Sequence, residues 1–274
     1  MKLRERFKLD RLRPPKNRGP FAYIKRKLHP QKTLPNRHLS IFLNTYCNLK
    51  CFSCAALGMP KPPPPIDTKI ENIELFLRHA AKIYPGSYIM LTGGEPTMYP
   101  RLGEACHLIH EYGFKTAMLT NGYRMVPAEW FDFILLDYHG VNDDKMIEWQ
   151  KTLKASNIKW DIRMKQYHQD IQVAMKGNIT RGARCSNWLE PLTLLQNVVY
   201  PCCNLMCVEW WHDTDEVTTA LIDAGWTVDN PGLVGAIKNW RETLPSTVYQ
   251  LCMLGCWRDA DKANWRQIEH NLIA

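Results

Sequence analysis

Cys47, Cys51 and Cys54 set out C-x3-C-x2-C within eight residues. Thiolates are soft ligands, and three of them this close in sequence converge on one polynuclear site. Three is the informative number. A closed zinc site takes four ligands, whereas a four-iron cluster held by three cysteines keeps one iron open to an exogenous ligand. A redox centre with an open position is a catalytic arrangement; a fully ligated one transfers electrons or holds structure. A second set of thiols stands far downstream: Cys185, Cys203 after 17 residues, then Cys252 and Cys256 after a further 48. Together they supply four thiolates, hence a closed site. Cys202 and Cys207 are open alternatives to Cys203, and a structural zinc site of Cys203, Cys207, Cys252 and Cys256 is a second reading of the same segment. Cys106 falls on the apolar side of a helix and reads as a small core residue.

The elements that must position these groups alternate between strand and helix. Leu39 to Thr45 is an apolar strand that runs straight into the cysteine loop. Met59 to Pro65 is an extended polyproline loop. Thr68-Lys69-Ile70-Glu71 then offers a capping box for a helix with apolar positions at Ile70, Ile73, Phe76, Leu77, Ala80 and Ile83, stopped by Pro85-Gly86. A second strand, Tyr88 to Leu91, ends in Thr92-Gly93-Gly94-Glu95-Pro96, and a helix from about Arg101 is capped at Gly113. The third strand, Lys115 to Leu119, ends in Thr120-Asn121-Gly122. The fourth, Phe131 to Leu136, ends in Asp137-Tyr138-His139-Gly140, and a fifth, Ile158 to Met164, follows a helix from Asp143 to Lys154. Such alternation predicts a parallel sheet with helical crossovers, whose chemistry sits on loops at the strand C-termini. Asp137, His139 and Arg163 lie at those ends, where ribose or substrate contacts belong. Five units in residues 39–164 are too short for a complete barrel of about 250 residues. The expected architecture is therefore an α/β partial barrel over 39–180 and a small cysteine-rich domain over 181–274, where Leu192 to Cys203 reads as a hairpin turning at Gln196-Asn197, with Asn197 the residue suited to the left-handed conformation.

Composition bounds the rest. The chain has 274 residues, 45% apolar, with 35 Lys and Arg against 27 Asp and Glu. That balance excludes disorder for most of its length, and no run of about 18 apolar residues offers a membrane span. No signal-peptide pattern stands at the N-terminus, and ten clustered cysteines suit a reducing cytoplasm better than a disulfide framework. Charge is concentrated in residues 1–38, a basic arm with thirteen Lys and Arg, only Glu5 and Asp10, and five prolines. It is a solvated arm or a contact for an anionic partner: nucleic acid, anionic lipid or a phosphorylated substrate.

The C-x3-C-x2-C loop after the first strand, the Gly93-Gly94-Glu95-Pro96 turn after the second and Thr120-Asn121-Gly122 after the third together resemble the radical S-adenosylmethionine (SAM) superfamily. The resemblance implies a partial (β/α)6 TIM-type barrel with a [4Fe-4S] cluster on Cys47, Cys51 and Cys54 whose open iron binds the amino and carboxylate groups of SAM. Reductive cleavage of SAM then gives a 5′-deoxyadenosyl radical that abstracts hydrogen from substrate. In that setting Gly93 and Gly94 let backbone approach the ligand, Glu95 accepts from its ammonium, and Pro96, Thr120, Asn121 and Asp137 complete the cofactor site, with Arg163 and His139 toward the chemistry. The position before the third cysteine, aromatic in many relatives, is Ser53, with Phe52 one place earlier.

The later cysteines resemble the twitch domain, the short relative of the SPASM domain, which binds one auxiliary [4Fe-4S] cluster. Cys185, Cys203, Cys252 and Cys256 are the implied ligands, Cys203 because the 17-residue gap is similar to that of twitch dehydrogenases of the 2-deoxy-scyllo-inosamine type. The implied function is hydrogen abstraction from a small, sugar-like or phosphorylated metabolite, with a flavodoxin or ferredoxin reductase as electron donor. A peptide or RNA substrate is the alternative within the chemistry. A non-catalytic iron-sulfur or zinc protein that docks on a partner is the alternative outside it.

Overall fold

The computed structural model describes residues 38–49, 54, 63–138, 143–164, 192–203, 205–211 and 213–248. Five strands and their crossovers follow the expected order: β1 (His38–Phe42), helix α1 (Ile70–Ala80), β2 (Tyr88–Thr92), α2 (Leu102–Glu111), β3 (Lys115–Thr120), β4 (Phe133–Tyr138), α3 (Asp143–Ala155) and β5 (Lys159–Met164). Two further strands, β6 (Thr193–Leu195) and β7 (Val198–Tyr200), precede the helices α4 (Leu205–Trp211), α5 (Glu216–Asp223), α6 (Leu233–Lys238) and α7 (Trp240–Thr243). The seven strands among the described residues form one sheet in the order β5-β4-β3-β2-β1-β6-β7. The pairs from β1 through β5 are parallel, β6 adds to β1 in parallel with Ile41 opposite Leu194, and β7 returns antiparallel. This is the α/β architecture of a partial barrel. The hairpin expected in the C-terminal segment forms, and its first strand extends the main sheet at the free edge of β1.

Helices cover one face. Ile73, Phe76 and Leu77 of α1 are buried against Ile41, Ile89 and Leu91, because residues three and four apart share a helix face. Each such side chain contributes about 1.5–3 kcal/mol on burial. Cys106 is buried in this core, as its helical position requires. The other face carries Met90, Ala117 and Phe133 as a smaller apolar cluster.

Two local expectations are corrected by long-range bonds. Helix α1 begins without a side-chain cap, with Lys69 at the cap position. Thr68, the expected cap, donates its hydroxyl to the Phe42 carbonyl (2.6 Å) at the end of β1. In the hairpin it is Gln196, with φ of 57°, that takes the left-handed conformation expected of Asn197. Its backbone N–H donates to Thr68 Oγ1 (3.1 Å) and its side-chain amide to the Asp67 carbonyl (2.8 Å), which hold a residue without intrinsic preference for that region.

Candidate functional site

The loop that carries the cysteines is fixed by its stem. Leu43 N–H donates to Thr92 O (2.9 Å), Gly94 N–H to Asn44 O (2.8 Å) and Glu95 N–H to Tyr46 O (2.9 Å), so the β1–β2 pairing continues past both strand ends. Asn44 completes the clamp with its side chain, which accepts from Gly94 N–H (3.0 Å) and donates to Glu95 O (3.0 Å). Close approach explains the two glycines. A Cβ on Gly94 would lie 1.8 Å from Tyr46 O, and Gly93 has φ of 142° with Asn44 O 2.5 Å from where its Cβ would be. The glycines expected to admit a ligand thus admit the cysteine loop's own backbone. Tyr46 donates its hydroxyl to Asp67 Oδ1 (2.7 Å), and burial together with that carboxylate pushes the phenol up to about 12.

Glu95, read in sequence as the acceptor for a cofactor's ammonium, is 1% exposed. Its Oε1 accepts from Thr97 N–H (3.0 Å), Thr97 Oγ1 (2.7 Å) and Thr120 Oγ1 (2.5 Å), and its Oε2 from Asn121 N–H (2.8 Å). One carboxylate therefore joins the Gly-Gly-Glu-Pro turn to the Thr-Asn-Gly turn. Burial pushes this carboxyl above its ordinary range, while the bonds from Thr120, Thr97 and Asn121 pull toward the charged form. Pro96 opens a buried single turn of 3-10 helix, Pro96–Met98, capped by Glu95 itself. Gly122, with φ of 77°, packs over Trp149 of α3, whose indole N–H donates to Gly122 O (3.2 Å).

Asn121 closes the ring of strand ends back onto the cysteine loop. Its side-chain amide donates to Cys47 Sγ (3.4 Å) and to Asn48 Oδ1 (3.0 Å). Leu49 N–H also donates to Cys47 Sγ (3.4 Å). A sulfur met by two N–H donors is suited to be a thiolate, so the environment of Cys47 fits an iron ligand. Cys54 is half-buried against the main core. Cys51 and Ser53 lie outside the described residues, as does His139. Asp137 is buried near the end of β4, and the register sets it opposite Arg163 of β5, on the sheet face that bears Met90, Ala117 and Phe133.

Downstream, Cys202 and Cys203 are half-buried between β7 and α4, while Cys207 is buried within α4. Burial pushes the Cys207 thiol up, and the nearby Cys54 and Cys202 add to the push. The structure thus brings the third cysteine of the first cluster into the neighbourhood of the downstream thiols. Cys185, Cys252 and Cys256 lie outside the described residues. Glu209 of α4 accepts from Thr218 N–H (3.0 Å) and Thr218 Oγ1 (2.8 Å), tying α4 to the first turn of α5. Asn44 and Thr97 are the site residues missed in the sequence; Asn44 alone carried a signal, an amide directly at a strand end before a cysteine loop.

Among the described residues no helix is long and apolar enough to cross a membrane. Residues 41–168 match the Radical SAM superfamily. A curated relative, the S-adenosylmethionine-dependent nucleotide dehydratase of a Thermoplasmatales archaeon (strain ISO4-H5), is 30% identical over 118 residues, 41% of this chain. The chain spans about two fifths (39%) of that relative's length. Among solved structures, BtrN in complex with AdoMet and 2-DOIA is similar at a TM-score of 0.47 and 13% identity, over 78% of this chain and 88% of that one. Streptococcus suis SuiB is similar at 0.40 and 23% identity, over 60% and 44%.

Proposed function

Starting from residues 41–168 as a radical SAM domain, we propose that the chain is a radical SAM enzyme that abstracts hydrogen from a small phosphorylated metabolite. The observation that carries this reading is the joining of three strand-end turns around Cys47, through Asn44, Glu95 and Asn121. The chemistry supplied by a bound [4Fe-4S] cluster and SAM is one-electron cleavage of the sulfonium to a 5′-deoxyadenosyl radical and hydrogen abstraction from substrate.

Cys47, Cys51 and Cys54 hold the cluster. Gly93, Gly94, Pro96, Thr120, Asn121, Asp137 and Ser53 border the cofactor, while the Glu95 carboxylate braces the turn they stand on. Arg163 and His139 orient substrate. Cys185, Cys203, Cys252 and Cys256 hold an auxiliary [4Fe-4S] cluster, and Cys207, a deeply buried thiol in α4, belongs to the core. The electron donor is a flavodoxin or ferredoxin system. A phosphorylated substrate is supported by the name of the nucleotide dehydratase relative and by the charge of residues 1–38, a net +11 against −3 for the rest of the chain.

The test is iron and acid-labile sulfide per chain after anaerobic reconstitution, with 5′-deoxyadenosine formation under dithionite. About eight irons, falling to about four when Cys47, Cys51 and Cys54 are replaced by Ala, is the expected result. About four falling to none, with zinc retained, leaves a radical enzyme with a structural C-terminal site. Iron absent from both proteins refutes the reading.

A further inference from the structure

We infer that Asn121 is a positioning residue for the cluster ligand Cys47, and that its side-chain amide raises the reduction potential of the cluster through a hydrogen bond to Cys47 Sγ. The inference rests on the cluster reading above and adds a role that neither the cysteine spacing nor the strand-end turns require.

The geometry is specific. Asn121 stands just past β3, 74 positions from Cys47, and its Nδ2 is 3.4 Å from Cys47 Sγ and 3.0 Å from Asn48 Oδ1. Both neighbours are acceptors, a thiolate sulfur and an amide oxygen, so the nitrogen rather than the oxygen of Asn121 must face the loop. The amide is held from behind, because its own backbone N–H is fixed on Glu95 Oε2 at 2.8 Å. Asn121 is 5% exposed, so solvent does not compete for the bond. Adding an electron to an iron-sulfur cluster increases negative charge on its sulfurs. An N–H directed at a ligand sulfur stabilises the reduced form more than the oxidised one and raises the potential. Leu49 N–H supplies a second donor to the same sulfur, but it is a backbone group of the loop itself. Asn121 is the side chain through which the third strand reaches the ligand.

The test compares the native chain with Asn121→Leu, which keeps approximate shape and removes the donor. Midpoint potentials are read by an EPR-monitored titration of the reconstituted full chain, using the signal that changes when SAM is added. The expected result is a lower potential, with the reduced-to-oxidised ratio at a fixed ambient potential reduced up to about tenfold, equivalent to about 59 mV for one electron. Iron content remains that of the native chain. If the leucine variant does not fold, Asn121→Ser replaces the amide with a shorter hydroxyl that falls short of the sulfur, and is expected to lower the potential likewise. An unmoved potential in a variant that retains its SAM-responsive cluster overturns the inference alone. A native chain that loses no iron on Cys47→Ala overturns the cluster reading and the inference with it.

Discussion

Replacing Glu95 by Ala tests whether one buried carboxylate holds the strand-end turns together. The substitution removes the acceptor for Thr97 N–H, Asn121 N–H and two threonine hydroxyls in a residue 1% exposed. The hydroxyls rotate to other acceptors, but the two backbone amides do not, and an orphaned buried donor costs about 1–3 kcal/mol. Part of the loss is offset because a buried acid no longer has to be desolvated. The net expectation is a loss of about 3 kcal/mol, against about 1–2 kcal/mol for Glu95→Gln, which keeps an oxygen toward Thr97 and Thr120 but turns an amide toward Asn121 N–H. The assay is urea unfolding of the apo chain, comparing midpoints at constant slope. Acidity supplies a second readout. The folded carboxyl is raised above 4.5 by burial, so its proton-linked stability is fully present below that unfolded value and is lost as pH rises through the folded one. The gap between the native chain and Glu95→Gln should therefore shrink from acid toward alkaline pH. A stability for Glu95→Ala within about 0.5 kcal/mol of native would refute the reasoning.

Gly94→Ala is expected to cost more than about 3 kcal/mol or prevent folding, since its Cβ would meet Tyr46 O at 1.8 Å; Gly86→Ala, at a φ of 69° but with nothing within 4 Å, should cost only about 1 kcal/mol in the same urea experiment. His79 of α1 donates from Nε2 to Val228 O (2.9 Å), joining residues 149 apart, so His79→Leu should lower the urea midpoint by the equivalent of about 1–2 kcal/mol. For the downstream site, Cys203→Ala is expected to lose about four irons, whereas Cys207→Ala should keep all of them and lose only about 1 kcal/mol of packing. Iron analysis beside thermal melting separates the two cysteines.

Strand positions were legible because each is a short apolar run closed by glycine or a polar turn, and the ends of β2, β3 and β5 shift by only one residue. β4 starts two residues later than its apolar run, because Ala128–Trp130 forms a single 3-10 turn and Phe131 N–H is taken by Ala128 O. What the pattern did not carry was the identity of distant partners. Thr68 looks like a helix cap until the Phe42 carbonyl is beside it, and Gln196 looks like an ordinary turn residue until Thr68 and Asp67 hold it. The same limit applies within the site. Cys47 and Asn121 were both identifiable by residue type, but the bond between them depends on a strand pairing that no local periodicity encodes. The pairing of β6 with β1 is likewise invisible to a local pattern, since hydrophobic alternation says which face is buried and not which edge is joined.

That pairing also sets an order of events during synthesis. β1 is flanked by β2 and β6 in the finished sheet, yet β6 begins about 150 residues after β1 ends. At a translation rate of about 5–20 residues per second, the strand that feeds the cysteine loop waits roughly 8–30 s with one edge unsatisfied. A nascent chain at that stage holds Cys47 on a loop whose feeding strand still has one edge open. Cluster insertion before β6 arrives would act on an unfinished scaffold, and insertion afterwards on a strand locked from both sides. The late hairpin is in this sense a timing element, the last piece whose arrival makes the first strand an interior one.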